Sequence, residues 1–229
     1  GRVVAHELLR ELADAPDPFD EWPFVGRVEA LARLTENWRS PASPMRAIVC
    51  GPPGIGKTRL VTTAAARAGM RLLRVSAHPA SRRRPLALVR RIVQSVRAYV
   101  ADTRMPRSIE AFTADLAPLR ARLDPYLDAL WYLAAPDALA VRPPDPDPRT
   151  LRRTLAEGFE RLLANLRRYD DRLVLLLDPF DDCDEASALL LQDLPVTELR
   201  PPTVMVLRAA PSPAAPDDGL IITLKPLTR

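Results

Sequence analysis

Lysine is almost missing from this chain of 229 residues: only Lys57 and Lys225 occur, and every other cationic side chain apart from the two histidines is an arginine. Cysteine is as scarce. Cys50 and Cys183 are too few for a disulfide framework and fit a reducing cytosol, so a cytoplasmic setting is expected. No apolar run approaches the roughly 18 residues that a membrane-spanning helix needs, and no signal-peptide pattern opens the chain. No membrane partner is expected. His6 and His78 stand at no metal-ligand spacing from either cysteine, and all four read as structural or incidental. Aromatic residues make up 5% of the chain and none interleave with the arginines of 82–91, which leaves little for stacking on bases. Trp22, Trp38 and Trp131 read as packing residues.

What remains is ordinary globular composition, 47% hydrophobic and 27% charged, enough for one substantial α/β core. The net charge of +4 comes from 33 basic residues nearly balanced by 29 acidic ones, a margin that permits only weak attraction to nucleic acid. The abundance of Arg, Ala and Pro resembles a high-GC bacterial coding bias. The chain starts at Gly1 rather than methionine and reads as a piece of something longer.

Helical periodicity over Arg2–Ala13 stops at Pro16 and Pro18, so residues 1–22 read as a helical extension of a core spanning 23–229. Glu29–Trp38 is amphipathic through Leu31, Leu34 and Trp38, and Ser40–Pro44 is a turn. Ala47–Cys50 reads as a buried strand, Gly56–Ala68 as a helix closed by Gly69, and Arg71–Ser76 as a second strand. Residues 79–150 read as a helical insertion between strands. Within it, Pro85–Val100 forms one helix, Ser108–Ala135 forms one or two interrupted near Pro118 and Pro125, and Arg142–Pro148 forms a stiff Pro/Asp loop. A strong amphipathic helix, Leu151–Tyr169, leads into the most apolar strand, Leu173–Leu177; Thr203–Leu207 and Leu220–Leu224 are further strands. Strands alternating with helices predict a three-layer α/β fold around a five-stranded, mainly parallel sheet.

Between the first strand and its helix stands Gly51-Pro52-Pro53-Gly54-Ile55-Gly56-Lys57-Thr58, a match to G-x-x-x-x-G-K-[ST] in the context the motif requires. Glycines let the backbone wrap an anion with N–H groups pointing inward, over the positive end of a helix. Lys57 would reach the β- and γ-phosphates of a nucleotide, and the Thr58 hydroxyl would ligate Mg²⁺. Three of only eight glycines fall within six residues here, and one of the two lysines occupies the position that demands lysine. Pro52, Gly54, Ile55, Gly56, Lys57 and Thr58, with Arg59 beside them, are the candidate nucleotide-binding residues.

Leu173–Leu177 delivers Asp178 to the same edge of the sheet, where it could hold Mg²⁺ together with Thr58. An aspartate after a strand also reads as an ordinary turn or cap residue. The next position, where many such ATPases place a second acid to orient water, is Pro179, and no catalytic residue is assigned. Asp181, Asp182, Asp184 and Glu185 follow; a solvated acidic loop capping the next helix is the plainer reading of them. Arg82-Arg83-Arg84 with Arg90 and Arg91 could contact nucleic acid, or could be a solvated loop and polar helix face in an arginine-biased chain.

With these segments in place, the chain resembles the AAA+/STAND nucleotide-binding module of large bacterial transcriptional regulators and signalling ATPases. Phe24-Val25-Gly26-Arg27-Val28-Glu29 is similar to that family's opening motif, which implies that Gly26 and Arg27 lie near adenine and ribose. Leu173–Ser187, including Asp184-Glu185-Ala186-Ser187, resembles its Walker-B stretch, and Leu224-Lys225-Pro226-Leu227-Thr228 the point where the core gives way to a helical lid. The resemblance implies ATP/ADP with Mg²⁺ as ligands, the phosphate-loop strand beside the Walker-B neighbourhood, and a lid and effector domain in cis beyond Arg229. A homo-oligomer could form in the ATP state. Val28 stands where the family usually has glutamate, Pro179 where it has a second acid, and Arg208-Ala209-Ala210-Pro211 where it often has a polar sensor. The expectation is therefore an ATP/ADP-binding switch in a signal-transducing regulator, transcriptional by the resemblance, with slow or lost hydrolysis and no sequence-specific DNA binding of its own. The alternatives are an active AAA+ ATPase of the origin-initiator or loader type, and a degenerate interaction scaffold.

Overall fold

The computed structural model describes residues 26–39, 46–101, 106–135, 141–143, 147–192, 203–209 and 219–226. The expected extension over residues 1–22, the Ser40–Pro44 turn and Trp22 lie outside the described residues. In chain order the elements are α1 (Val28–Arg39), β1 (Arg46–Cys50), α2 (Lys57–Ala68), β2 (Arg71–Val75), α3 (Ala87–Ala101), α4 (Ile109–Asp115), α5 (Leu127–Ala134), α6 (Pro148–Tyr169), β3 (Leu173–Leu177), α7 (Glu185–Gln192), β4 (Thr203–Arg208) and β5 (Leu220–Thr223). Short 3₁₀ turns at Ala117–Leu119 and Asp124–Tyr126 carry Pro118 and Pro125, whose missing N–H groups are tolerated in the first turn of a helix but not in its interior.

The strands form one sheet in the order β2-β3-β4-β1-β5, and each pairing is parallel. All strands therefore end at one edge. The expectation that the phosphate-loop strand neighbours the Walker-B strand needs correction: β4 lies between β1 and β3. Two inter-strand spacings, about 10 Å, separate their ends. That gap is bridged by the loop and the first turn of α2 rather than by direct strand pairing.

Alternation along the strands divides the core. Val174 and Leu176 of β3 point, with Val49, Ile222 and Leu224, toward a layer built from Leu31 and Leu34 of α1 and Leu60, Val61 and Ala64 of α2. Leu173, Leu175 and Leu177 point the other way, into a larger cluster with Val75, Ile92, Val96, Phe112, Leu130, Trp131, Phe159 and Leu162. The helices between β2 and β3, together with Leu190 and Leu191 of α7, thus pack on one face of the sheet. Their fully buried side chains each contribute roughly 1.5–3 kcal/mol of burial free energy. Inside this layer Arg97, 3% exposed, pairs with Asp115 at 2.7 Å, joining α3 to α4.

At the opposite edge from the strand ends, Asp170 closes α6 and accepts hydrogen bonds from Tyr99 Oη, the Arg172 backbone and Arg71, the first residue of β2. Burial alone would raise the Asp170 pKa. The Tyr99 hydroxyl, the Arg172 N–H and the Arg71 guanidinium outweigh it and hold the carboxyl below its usual range.

Candidate functional site

The site grows out of the end of β1. Gly54 and Gly56 adopt φ of 76° and 93°, the left-handed region that side chains disfavour, and a Cβ built on either meets nothing within 4 Å. The loop therefore curls tightly while its outer face stays open enough to take an anion. Pro52 and Gly54 are exposed; Ile55, Gly56, Lys57, Thr58 and Arg59 are half-buried. Lys57 Nζ donates to the carbonyls of Gly51 at 2.8 Å and Pro52 at 3.0 Å, contacts that phosphate oxygens could replace. Lys57 is also the first residue of α2, so its ammonium adds to the positive end of that helix.

Arg27 joins this loop from the chain's other side. Its backbone is left-handed at φ 55°, an uncommon state for a residue with a Cβ, and its guanidinium donates to the Ile55 carbonyl at 3.0 Å. Its own carbonyl accepts from Leu31 at the start of α1. The Gly26-Arg27 segment is thus tied to the phosphate loop.

Asp178 has the same parity as Val174 and Leu176, so its side chain leaves β3 toward α2. Its Oδ2 accepts from Thr58 Oγ1 at 2.7 Å, across 120 residues of sequence. The two residues expected to share a metal are therefore in direct contact. Among the described residues no group of three or more His, Cys, Asp or Glu side chains comes together to hold a metal ion. A cation here would draw on Thr58, Asp178 and a nucleotide's own phosphates. The open loop, the ammonium at its mouth and the hydroxyl–carboxylate pair fit a magnesium nucleotide.

The acids beyond Pro179 have other partners. Asp181 accepts from the Ala209 backbone and, through its carbonyl, from Arg82; Asp182 pairs with Arg82 at 3.0 Å. Asp184 corrects the expectation of a solvated acidic loop. It does cap the next helix, accepting from Ser187 N at 2.9 Å, but it is only 3% exposed. The same carboxylate accepts from the backbone of Leu86 at 2.7 Å and Leu88 at 3.2 Å, while Ser187 Oγ accepts from Val89. One Asp-x-x-Ser segment thus caps α7 and, from about 100 residues away, the start of α3. A cap motif was legible in the sequence; its second helix was not.

The arginine cluster is likewise drawn into the fold. Arg90 donates to the carbonyls of Tyr132 and Ala135 at the end of α5, and Arg91 to that of Ser76. Arg83 and Arg84 flank a groove of about 730 Å³ beside α3, away from the phosphate loop. Trp131 is buried in the larger core cluster, and His78 accepts from Ala80 N in a local turn. No described helix is long and apolar enough to cross a membrane. Sequence reasoning missed Arg74, whose guanidinium also reaches Asp178.

A three-layer parallel α/β domain with a phosphate loop and an acidic strand end facing each other is a P-loop nucleotide-binding domain by architecture. The chain belongs to the AAA ATPase domain family, whose profile matches residues 23–207. It is also similar to the rat (Rattus norvegicus) ATPase family gene 2 protein homolog B, 37% identical over 101 residues. That match covers 37% of this chain and 13% of the relative.

Proposed function

We propose that this chain is an ATP/ADP-binding switch domain of a signal-transducing regulator, with a core over residues 23–229 and slow or lost hydrolysis. The observation that carries the reading is the contact between Thr58 and Asp178, formed where an open phosphate loop begins a helix. In this reading the loop residues Pro52 to Thr58 and Arg59 surround the phosphates, and Gly26 and Arg27 lie toward the nucleoside. Thr58 and Asp178 hold the metal, which when bound neutralises phosphate charge. The two nucleotides differ by one phosphate, and a switch needs states that bind them unequally. An attached effector acting in transcription would read those states. Slow hydrolysis is supported by Pro179, which has no acceptor to orient water, and by the structural contacts of Asp181, Asp182 and Asp184.

A second reading, a turning-over ATPase, is favoured by the name of the rat relative. Binding is tested by calorimetry with ATP and ADP in the presence of Mg²⁺. Lys57→Ala removes a charge-assisted contact of roughly 1.5–3 kcal/mol, so affinity should fall about tenfold to a hundredfold or more. Equal affinity in both proteins would remove the nucleotide reading.

A further inference from the structure

Arg74 is the penultimate residue of β2, paired in register with Leu176 on β3. It shares parity with Leu72, which packs on the α1/α2 side of the sheet, as does Asp178 with Val174 and Leu176. Two adjacent strands therefore send a guanidinium and a carboxylate out on the same face at the same edge. They meet at 2.7 Å, Arg74 Nη2 to Asp178 Oδ2. This is the same oxygen that accepts from the Thr58 hydroxyl. A carboxylate oxygen offers about two lone-pair positions, so both on Oδ2 are engaged by these donors. The Arg74 side chain is 55% exposed while that of Asp178 is 10% exposed, so the cation leans in from solvent over a sheltered acid.

We infer that Arg74 is a resident counter-cation of Asp178 that competes with the divalent metal of a bound nucleotide, and so sets how much Mg²⁺ the site requires. The inference rests on the nucleotide reading above. An arginine does not lose its proton at any ordinary pH, so it cannot make way by neutralising. A divalent ion that uses Asp178 or Thr58 must either displace the guanidinium or bind with a like charge beside it. Displacement is feasible because the side chain already lies half in water and can turn outward. The consequence is a nucleotide site whose metal affinity is held down from within: its occupancy responds to free Mg²⁺ over a higher range than the phosphate loop alone would dictate.

The test uses a fluorescent ADP analogue, with binding followed as free Mg²⁺ is raised from chelated to millimolar levels. Wild type is compared with Arg74→Gln and Arg74→Met, which keep an unbranched stem and remove the charge, and with Arg74→Lys, which keeps the charge. Thermal melts check that each variant folds; two neutral variants on a half-exposed edge position guard against one failing. The half-saturating Mg²⁺ concentration should fall about threefold to fivefold in the neutral variants, the scale of a partly screened ion pair, and stay near wild type in Arg74→Lys. Binding curves that coincide within about twofold, or a rise in the neutral variants, would show that Arg74 only braces the strand end and would overturn the inference while leaving nucleotide binding intact. Absence of Mg²⁺-nucleotide binding in every protein, wild type included, would instead overturn the nucleotide reading and this inference with it.

Discussion

Removing the carboxylate of Asp184 should destabilise the domain more than any single change at its surface. Asp184→Ala takes away the acceptor for three backbone N–H groups, those of Leu86, Leu88 and Ser187. Two of these contacts are short, at 2.7 and 2.9 Å, and converge on Oδ1; the third, at 3.2 Å to Oδ2, is weaker. Each well-formed contact to a charged acceptor is worth about 1.5–3 kcal/mol, and the loss of a helix N-cap alone about 1 kcal/mol. Leu88 is 2% exposed, so water does not readily replace its partner. The sum is about 3–5 kcal/mol, a large share of the roughly 5–15 kcal/mol that holds a domain together. Asp184→Asn separates the terms. Its amide oxygen can keep the two contacts made by Oδ1, while its NH₂ faces the Leu88 N–H, and the charge that favours both helix N-termini is lost. That variant should cost about 1–2 kcal/mol. Equilibrium urea unfolding, followed by circular dichroism with m-values compared, gives the three stabilities. An alanine variant within about 1 kcal/mol of wild type, or an asparagine variant as unstable as alanine, would refute the bridging cap.

Two further outcomes follow from other parts of the molecule. Asp170 is held below the usual carboxylate range, so its contribution should be complete above pH about 4 and fade as pH falls through its lowered folded value. Because Arg71 is largely exposed, solvent screens that partner; Asp170→Asn should cost about 1 kcal/mol at pH 7, and the gap to wild type should close in acid unfolding curves. At the candidate site, single-turnover assays should show slow or unmeasurable hydrolysis in the wild type. Pro179→Glu should gain part of the roughly 10²–10⁴-fold that a general base supplies; brisk wild-type turnover abolished by Asp178→Asn would instead establish an active ATPase.

Much of this was legible before the structure. β3 could be read because five consecutive apolar residues can only be buried on both faces, and the phosphate loop because its glycines and lysine have a fixed spacing. The helix-cap role of Gly69 was equally local. What escaped depends on partners distant in sequence. Arg74 looked like one arginine among many until β2 and β3 paired and brought it 2.7 Å from Asp178. The second helix capped by Asp184 begins nearly 100 residues earlier, beyond the reach of any cap motif. The position of β4 between β1 and β3 is a matter of which strands meet, and apolar runs of similar length carry no address.

The parity of β3 makes the chain intolerant in one place and permissive in another. Asp178 meets Thr58 only because an odd–even rhythm runs unbroken from Leu173. Inserting one residue within that strand would turn the carboxylate to the α3–α6 side and exchange the side chains that pack into the two core layers, so packing and chemistry would be disturbed together. The turns joining the helices before β3 set no such phase, although the one between α4 and α5 buries Leu116, Leu119 and Leu123 and so has its own packing to keep. A change of length there would alter the outline of one face while leaving the alignment of loop, hydroxyl and carboxylate untouched.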